Sequence, residues 1–110
     1  MIDWAQVNTL RDDVGKEDFA EIVDIFIDEV EDVIEKLRTV PDLNTLGDDL
    51  HFLKGSALNL GFLAFSEQCQ LGETNSAAGH ADQVDISAIV AAYDSSKTKF
   101  IAEMPTALPP

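Results

Sequence analysis

"HFLKGSALNLG", residues 51–61, sets a histidine, a lysine and a glycine among leucines spaced as a helix spaces them. On a wheel of about 100° per residue, Leu50, Leu53, Ala57 and Leu60 share one face, which must point into a core. Leu43 and Leu46 extend that stripe backwards. His51 lies about 100° round from Leu50, at the edge of the buried face or outside it. Its neighbours one turn away are Gly47 behind, and Lys54 and Gly55 ahead. Leu58 and Phe62 continue the same outer stripe. A glycine inside a helix lowers stability by about 1 kcal/mol relative to alanine, so Gly55 calls for a reason other than packing.

Working outward, this helix is predicted to start near Asp42 or Asn44 and to stop at Gly61. Before it, "EDFAEIVDIFIDEVEDVIEKLR" (residues 17–38) is the clearest helix of the chain. Phe19, Ile22, Val23, Phe26, Val30, Val33, Ile34 and Leu37 form its apolar stripe. Glu21, Asp24, Asp28, Glu31, Asp32 and Glu35 form a solvated face, and Pro41 ends the segment. A short first helix runs from Asp3 to Val14, with Asp3 as cap and Gly15 as stop. After the motif, a helix from about Leu63 to Ala78 is interrupted in its stripe by Gly72. "AAGHADQ" (residues 77–83) reads as a loop. A last helix runs from about Asp85 to Glu103, with Ile86, Ile89, Val90, Tyr93, Phe100 and Ile101 inward. "PTALPP" (residues 105–110) reads as a loose tail. No period-two run is long enough for a strand. The expected architecture is all-α: one domain over residues 1–110, an antiparallel four-helix bundle at about 17–103, and a short N-terminal capping helix.

Composition excludes several function classes. The chain has 110 residues and a net charge of −14, from 21 acidic and 7 basic residues. Such a balance repels nucleic-acid phosphates and anionic membrane surfaces. One cysteine, Cys69, allows neither an intrachain disulfide nor a multi-cysteine metal site. "MIDWAQ" is no signal peptide, and "ISAIVAAY" is too short to span a bilayer. The chain reads as soluble and cytoplasmic. A metal-binding bundle would need paired Glu and Glu-x-x-His positions that the sequence lacks, so no metal site is expected.

The outer stripe has a chemical meaning. Neutral imidazole is a nucleophile near pH 7. A phosphoryl group on the ring would bring negative charge to a very acidic protein, and Lys54 at i+3 could reach it. Gly55 at i+4 removes bulk beside the ring, so that another protein's active site could close over it, and Gly47 could do the same behind. Leu58 and Phe62 offer apolar docking area. Taken singly, His51 is a boundary residue, Lys54 a solubilising one, and the two hydrophobics a second packed face. Together with an unexplained glycine they make a site.

"HFLKGSALNLG" resembles the signature of the histidine-containing phosphotransfer (HPt) domains of phosphorelays, roughly H-x-L-K-G-S-[SA]-x-x-[LFV]-G. His51, Leu53, Lys54, Gly55, Ser56, Ala57, Leu60 and Gly61 match its fixed positions. "CQLGE" (residues 69–73) is similar to the family's C-x-x-L-E, with Gly72 in place of the leucine, a change expected to loosen the fourth helix. Phe52 is bulkier than the residue common beside the histidine, and it is a further candidate for partner docking. The resemblance implies that His51 is the phosphoacceptor, that Lys54 attends the phosphoryl group, and that Gly55 gives clearance to a response-regulator receiver domain. Some relatives orient the histidine with a glutamine on the fourth helix, and Glu73 is the nearest matching position here. The implied partners are a receiver domain and a sensor or hybrid histidine kinase. No cofactor is expected in this chain, with magnesium only in the receiver. No G-x-x-x-x-G-K loop is present, so autonomous kinase activity is not expected. Two other readings stay open at this point: the phosphoacceptor domain of a chemotaxis-type kinase, and a helical adaptor that is never phosphorylated. His80 reads as a solvent residue, Cys69 as a small core residue, and Ser56 as a packed one.

Overall fold

A computed structural model describes residues 1–108. Five α-helices follow one another among the described residues: α1 (Trp4–Val14), α2 (Lys16–Thr39), α3 (Leu46–Leu60), α4 (Leu63–Ala77) and α5 (Ile86–Ala107). A single 3-10 turn, Ala81–Gln83, lies within the segment read as a loop. Helices α2 to α5 close a ring in which α2 meets α3, α3 meets α4, α4 meets α5, and α5 returns to α2. Short links force successive neighbours to run antiparallel. The molecule is accordingly elongated, 45 × 21 × 21 Å.

The core forms where the apolar stripes converge. Phe19, Val23, Val30, Ile34 and Leu37 of α2 face Leu46, Leu50, Leu53, Ala57 and Leu60 of α3 across the bundle, with Phe65 and Cys69 of α4 and Ile89, Tyr93 and Phe100 of α5. Phe62 packs edge-on against Phe100, with ring centroids 5.3 Å apart, and Phe65 lies 5.3 Å from Tyr93. Such pairs contribute about 0.5–1.5 kcal/mol beyond their buried area.

Asp3 caps α1 by accepting from the Gln6 backbone N–H, and Gly15 ends the helix at φ +88°. Helix α1 covers one end of the bundle, touching α2 and α3. Its Trp4 stacks flat on Phe100 at 5.3 Å. The residues before it clamp the α3–α4 turn: the Asp3 N–H donates to the Gly61 carbonyl at 2.7 Å.

Five details differ from the sequence expectation. Helix α3 begins at Leu46, because Asp42 to Thr45 form a turn in which the Asn44 N–H donates to Asp42 Oδ1. Leu43 is therefore exposed rather than inward. Ile101 also faces solvent, because helical rotation places it about 100° round from the buried Phe100. Residues 105–107 continue α5 through Pro105, and Leu108 is buried, so the tail is not loose up to that point; residues 109 and 110 lie outside the described residues. Glu31 leaves the acidic face of α2 to accept from the Tyr93 hydroxyl at 2.8 Å and to pair with Lys97.

Gly72 is the fifth. It does not loosen α4. A Cβ there would meet Leu50 Cδ1 at 2.6 Å, and Ile89 and Val84 at 3.2 Å. Glycine is what lets α3 and α5 approach α4 this closely.

Candidate functional site

The site lies where the outer face of α3 meets α4. Because α3 buries Leu50 and Leu53, His51 is turned out, and its side chain is 72% exposed. Lys54 follows one turn later on the side facing α4. Gly55 stands on the open side, exposed, and a Cβ there would have no described atom within 4 Å. The glycine is thus not required by packing within this chain.

Helix α4 contributes a carboxylate aimed back at both His51 and Lys54. Glu73 Oε2 lies 2.8 Å from His51 Nδ1, and Oε1 accepts from Lys54 Nζ at 2.7 Å. Lys54 Nζ also donates to Gln70 Oε1 at 3.0 Å. The hydrogen bond from Lys54 is the largest influence and holds the Glu73 carboxyl below the usual carboxylate range; burial opposes it, and the contact with His51 adds a lesser lowering. An ionised Glu73 has only acceptor oxygens, so the Nδ1–H donates to it. The imidazole is then held in the tautomer whose Nε2 lone pair is free. That nitrogen is the accessible nucleophile of the ring.

Gln70 is the participant that sequence reasoning missed. It lies three residues before Glu73, so helical spacing puts both on one face of α4. That spacing was the available signal.

The remaining sequence candidates separate. Phe52 and Leu58 are exposed beside the histidine, Leu58 by 49%. Phe62 is not part of that surface. Gly61 ends α3 in the left-handed conformation, φ +72°, so the chain leaves the helix before the outer stripe reaches residue 62. Phe62 turns inward instead and is fully buried against Tyr93 and Phe100. Gly47 is half-buried at the α3–α4 seam, where a Cβ would touch Ser76 Cβ at 3.4 Å, so it does not stand free as Gly55 does. Together with Leu43, Asp48, Ser76 and Ala81 it lines an open cavity of about 400 Å³ beside His51 and Glu73. His80 is exposed, and Ser56 and Cys69 are buried. Among the described residues no three His, Cys, Asp or Glu side chains converge as a metal site would require, and no helix is long and apolar enough to cross a membrane.

An exposed histidine backed by a carboxylate, with a lysine at i+3 and a clear glycine at i+4, matches a known pattern over most of the chain: the Hpt domain model fits residues 21–107. The chain belongs to the Hpt domain family. The matched region of this Hpt domain begins within α2 and ends with α5, so it contains His51, Lys54, Gly55, Gln70 and Glu73. A similar curated protein is the phosphorelay intermediate protein YPD1 of Candida albicans, 35% identical over 77 residues. That match covers 64% of this chain and 41% of the relative, so the chain spans less than half of the protein it resembles. No solved structure matches it.

Proposed function

We propose that this Hpt domain is a phosphoryl carrier in a phosphorelay, with His51 Nε2 as the accepting atom. The observation that carries the proposal is the 2.8 Å contact between His51 Nδ1 and Glu73, which leaves Nε2 outward on a largely exposed ring. The similarity to a phosphorelay intermediate supports the same reading.

The Nε2 lone pair attacks the phosphorus of an aspartyl phosphate on a receiver domain. The bond from phosphorus to the carboxylate oxygen breaks, and its electrons leave with the aspartate. Nδ1 keeps its proton, so the phosphorylated ring is an imidazolium, and Glu73 supplies the counter-charge. Lys54 moves from Glu73 and Gln70 to the phosphoryl oxygens as a flexible cation. Gly55 lets the receiver bring its aspartate and its magnesium to within bonding reach. Phe52 and Leu58 give the receiver apolar contact. The reverse transfer, or loading from a phosphohistidine of a sensor kinase, uses the same atoms. The chain acts as a carrier in the cytoplasm and binds no nucleotide or metal of its own.

The test incubates the protein with a phosphorylated receiver domain and maps the label by mass spectrometry and ³¹P NMR. The expected product is an acid-labile, base-stable phosphoryl group on Nε2 of His51, absent from His51→Gln. Uptake by His51→Gln at the wild-type rate would overturn the assignment. A wild-type protein that binds receivers but takes no label from any of them would be an adaptor instead.

A further inference from the structure

A second feature, unconnected with His51, is a buried cation without a partner. Arg11 sits in the last turn of α1 and is only 9% exposed. Its guanidinium has no hydrogen-bond or ion-pair partner among the described residues. Buried charges in folded proteins are paired, and buried polar groups are hydrogen-bonded. Ser76 Oγ is the one side-chain atom among the described residues that is both sealed from solvent and unpartnered. The nitrogens of Arg11 therefore keep an opening.

That opening is a cavity of about 300 Å³ between the end of α1, the start of α2 and the end of α5. Lys16 also lines it, and Phe19, Met104, Pro105 and Leu108 give it apolar walls. It shares no lining residue with the cavity beside His51. Helix α2 starts at this place behind Gly15, which offers no side chain to cap the first N–H groups of a 24-residue helix. Such an end attracts anions. Glu17 and Asp18 stand on the same turn, but both are exposed, where water and salt screen them.

We propose that this cavity is a binding site for a small monocarboxylate with an apolar body. The planar fork of Arg11 matches a carboxylate with two parallel hydrogen bonds. Phe19, Met104 and Leu108 cover the hydrocarbon. The volume is at the small end of the range for ligand pockets and suits a chain of about eight carbons.

The experiment titrates the full chain with octanoate and follows the Met104 methyl group and the Arg11 Nε–H by NMR, with 1-octanol and inorganic phosphate as matched probes. Saturable octanoate binding that shifts both signals is expected, with octanol and phosphate each at least 10-fold weaker. Arg11→Gln should weaken octanoate at least 10-fold. Ala20→Glu should do the same by placing a carboxylate on the cavity wall; Ala20 is exposed, so this change leaves the fold intact. Phosphoryl uptake at His51 should be unchanged in Ala20→Glu, which separates this site from the proposed carrier function. No binding, equal affinity for octanol or phosphate, or undiminished binding in the folded Ala20→Glu variant would each overturn the proposal.

Discussion

His51 and Glu73, 22 residues apart, are joined between α3 and α4 by a 2.8 Å contact from Nδ1 to Oε2. The same carboxylate holds Lys54 through its other oxygen. One acidic side chain thus sets the tautomer of the His51 imidazole and restrains the nearest lysine.

Replacing that carboxylate should slow phosphoryl uptake without unfolding the protein. Hydrogen bonds to charged groups contribute about 1.5–3 kcal/mol, and partial exposure of Glu73 puts this one at the low end, so Glu73→Ala should lose about 10-fold in rate. Glu73→Gln, which can still accept from Nδ1 but carries no charge, should fall between the two. Stopped-flow transfer from a phosphorylated receiver measures this, with circular dichroism as the check on folding. Wild-type rates in both variants would remove Glu73 from the mechanism.

The same residue predicts a pH dependence. The folded pKa of Glu73 is lowered, chiefly by Lys54, from an ordinary value of 4.5. Its ionised form is therefore favoured by folding. The stabilisation is fully present above the unfolded pKa and disappears as pH falls through the lower folded one. Thermal melts of wild type and Glu73→Gln should differ by a constant amount from neutral pH down to about pH 5.5. The gap should then close as acidity increases. A gap that widens on acidification has the wrong sign for this pairing.

Two helical glycines should respond in opposite directions. At Gly55 a methyl group meets no described atom, so Gly55→Ala should stabilise by up to about 1 kcal/mol. At Gly72 the same methyl group runs into Leu50, and overpacking by about 1–3 kcal/mol outweighs the helix gain. Gly72→Ala should therefore melt below wild type, and Gly72→Leu lower still. Gly55→Gln should keep its melting temperature and lose most transfer activity, because its side chain occupies the approach to His51. Denaturant unfolding paired with transfer assays on the same samples checks all four, and a large loss of stability in Gly55→Gln would make that glycine a packing residue.

Leu58 and Phe62 offer a similar contrast on the hydrophobic side. Leu58→Ser should leave stability within about 0.5 kcal/mol and weaken receiver binding, as expected of an exposed apolar contact. Phe62→Ala should instead lose about 3–5 kcal/mol, because it empties the aromatic cluster with Tyr93 and Phe100. Calorimetric melts and receiver titrations separate the two effects. Equal loss of stability in both would contradict the packing described here.

Cys69 should be inert in the folded protein. Burial, with a smaller push from Glu73, raises its thiol pKa to about 12, so almost no thiolate exists at pH 8. Alkylation by iodoacetamide should be at least 100-fold slower in native protein than in 6 M guanidinium, given both the missing thiolate and the lack of access. Comparable rates in the two conditions would mean that α4 opens readily.

The amino-acid sequence by itself determined the helices and their faces. Of the eight residues read as the apolar stripe of α2, Phe19, Val23, Val30, Ile34 and Leu37 are buried, and Ile22, Phe26 and Val33 are half-buried at its edges. The same periodicity turns His51 out when Leu50 and Leu53 turn in, because one helix fixes the angles between its own residues. What happens between helices was not legible in that way. That Glu73 reaches His51, that Gln70 shares Lys54, and that Gly72 is filled by Leu50 while Gly55 stands clear all depend on how far each helix slides along its neighbour. The left-handed turn at Gly61 likewise breaks the helical angle that would have placed Phe62 outside, and Arg11 at the end of α1 lies buried beside a cavity it shares with Met104, Pro105 and Leu108 at the end of α5. Local periodicity sets direction within an element, whereas distances between elements come from side chains of several helices packing at once. Only the tertiary structure could decide which of two similar glycines is structural and which is free.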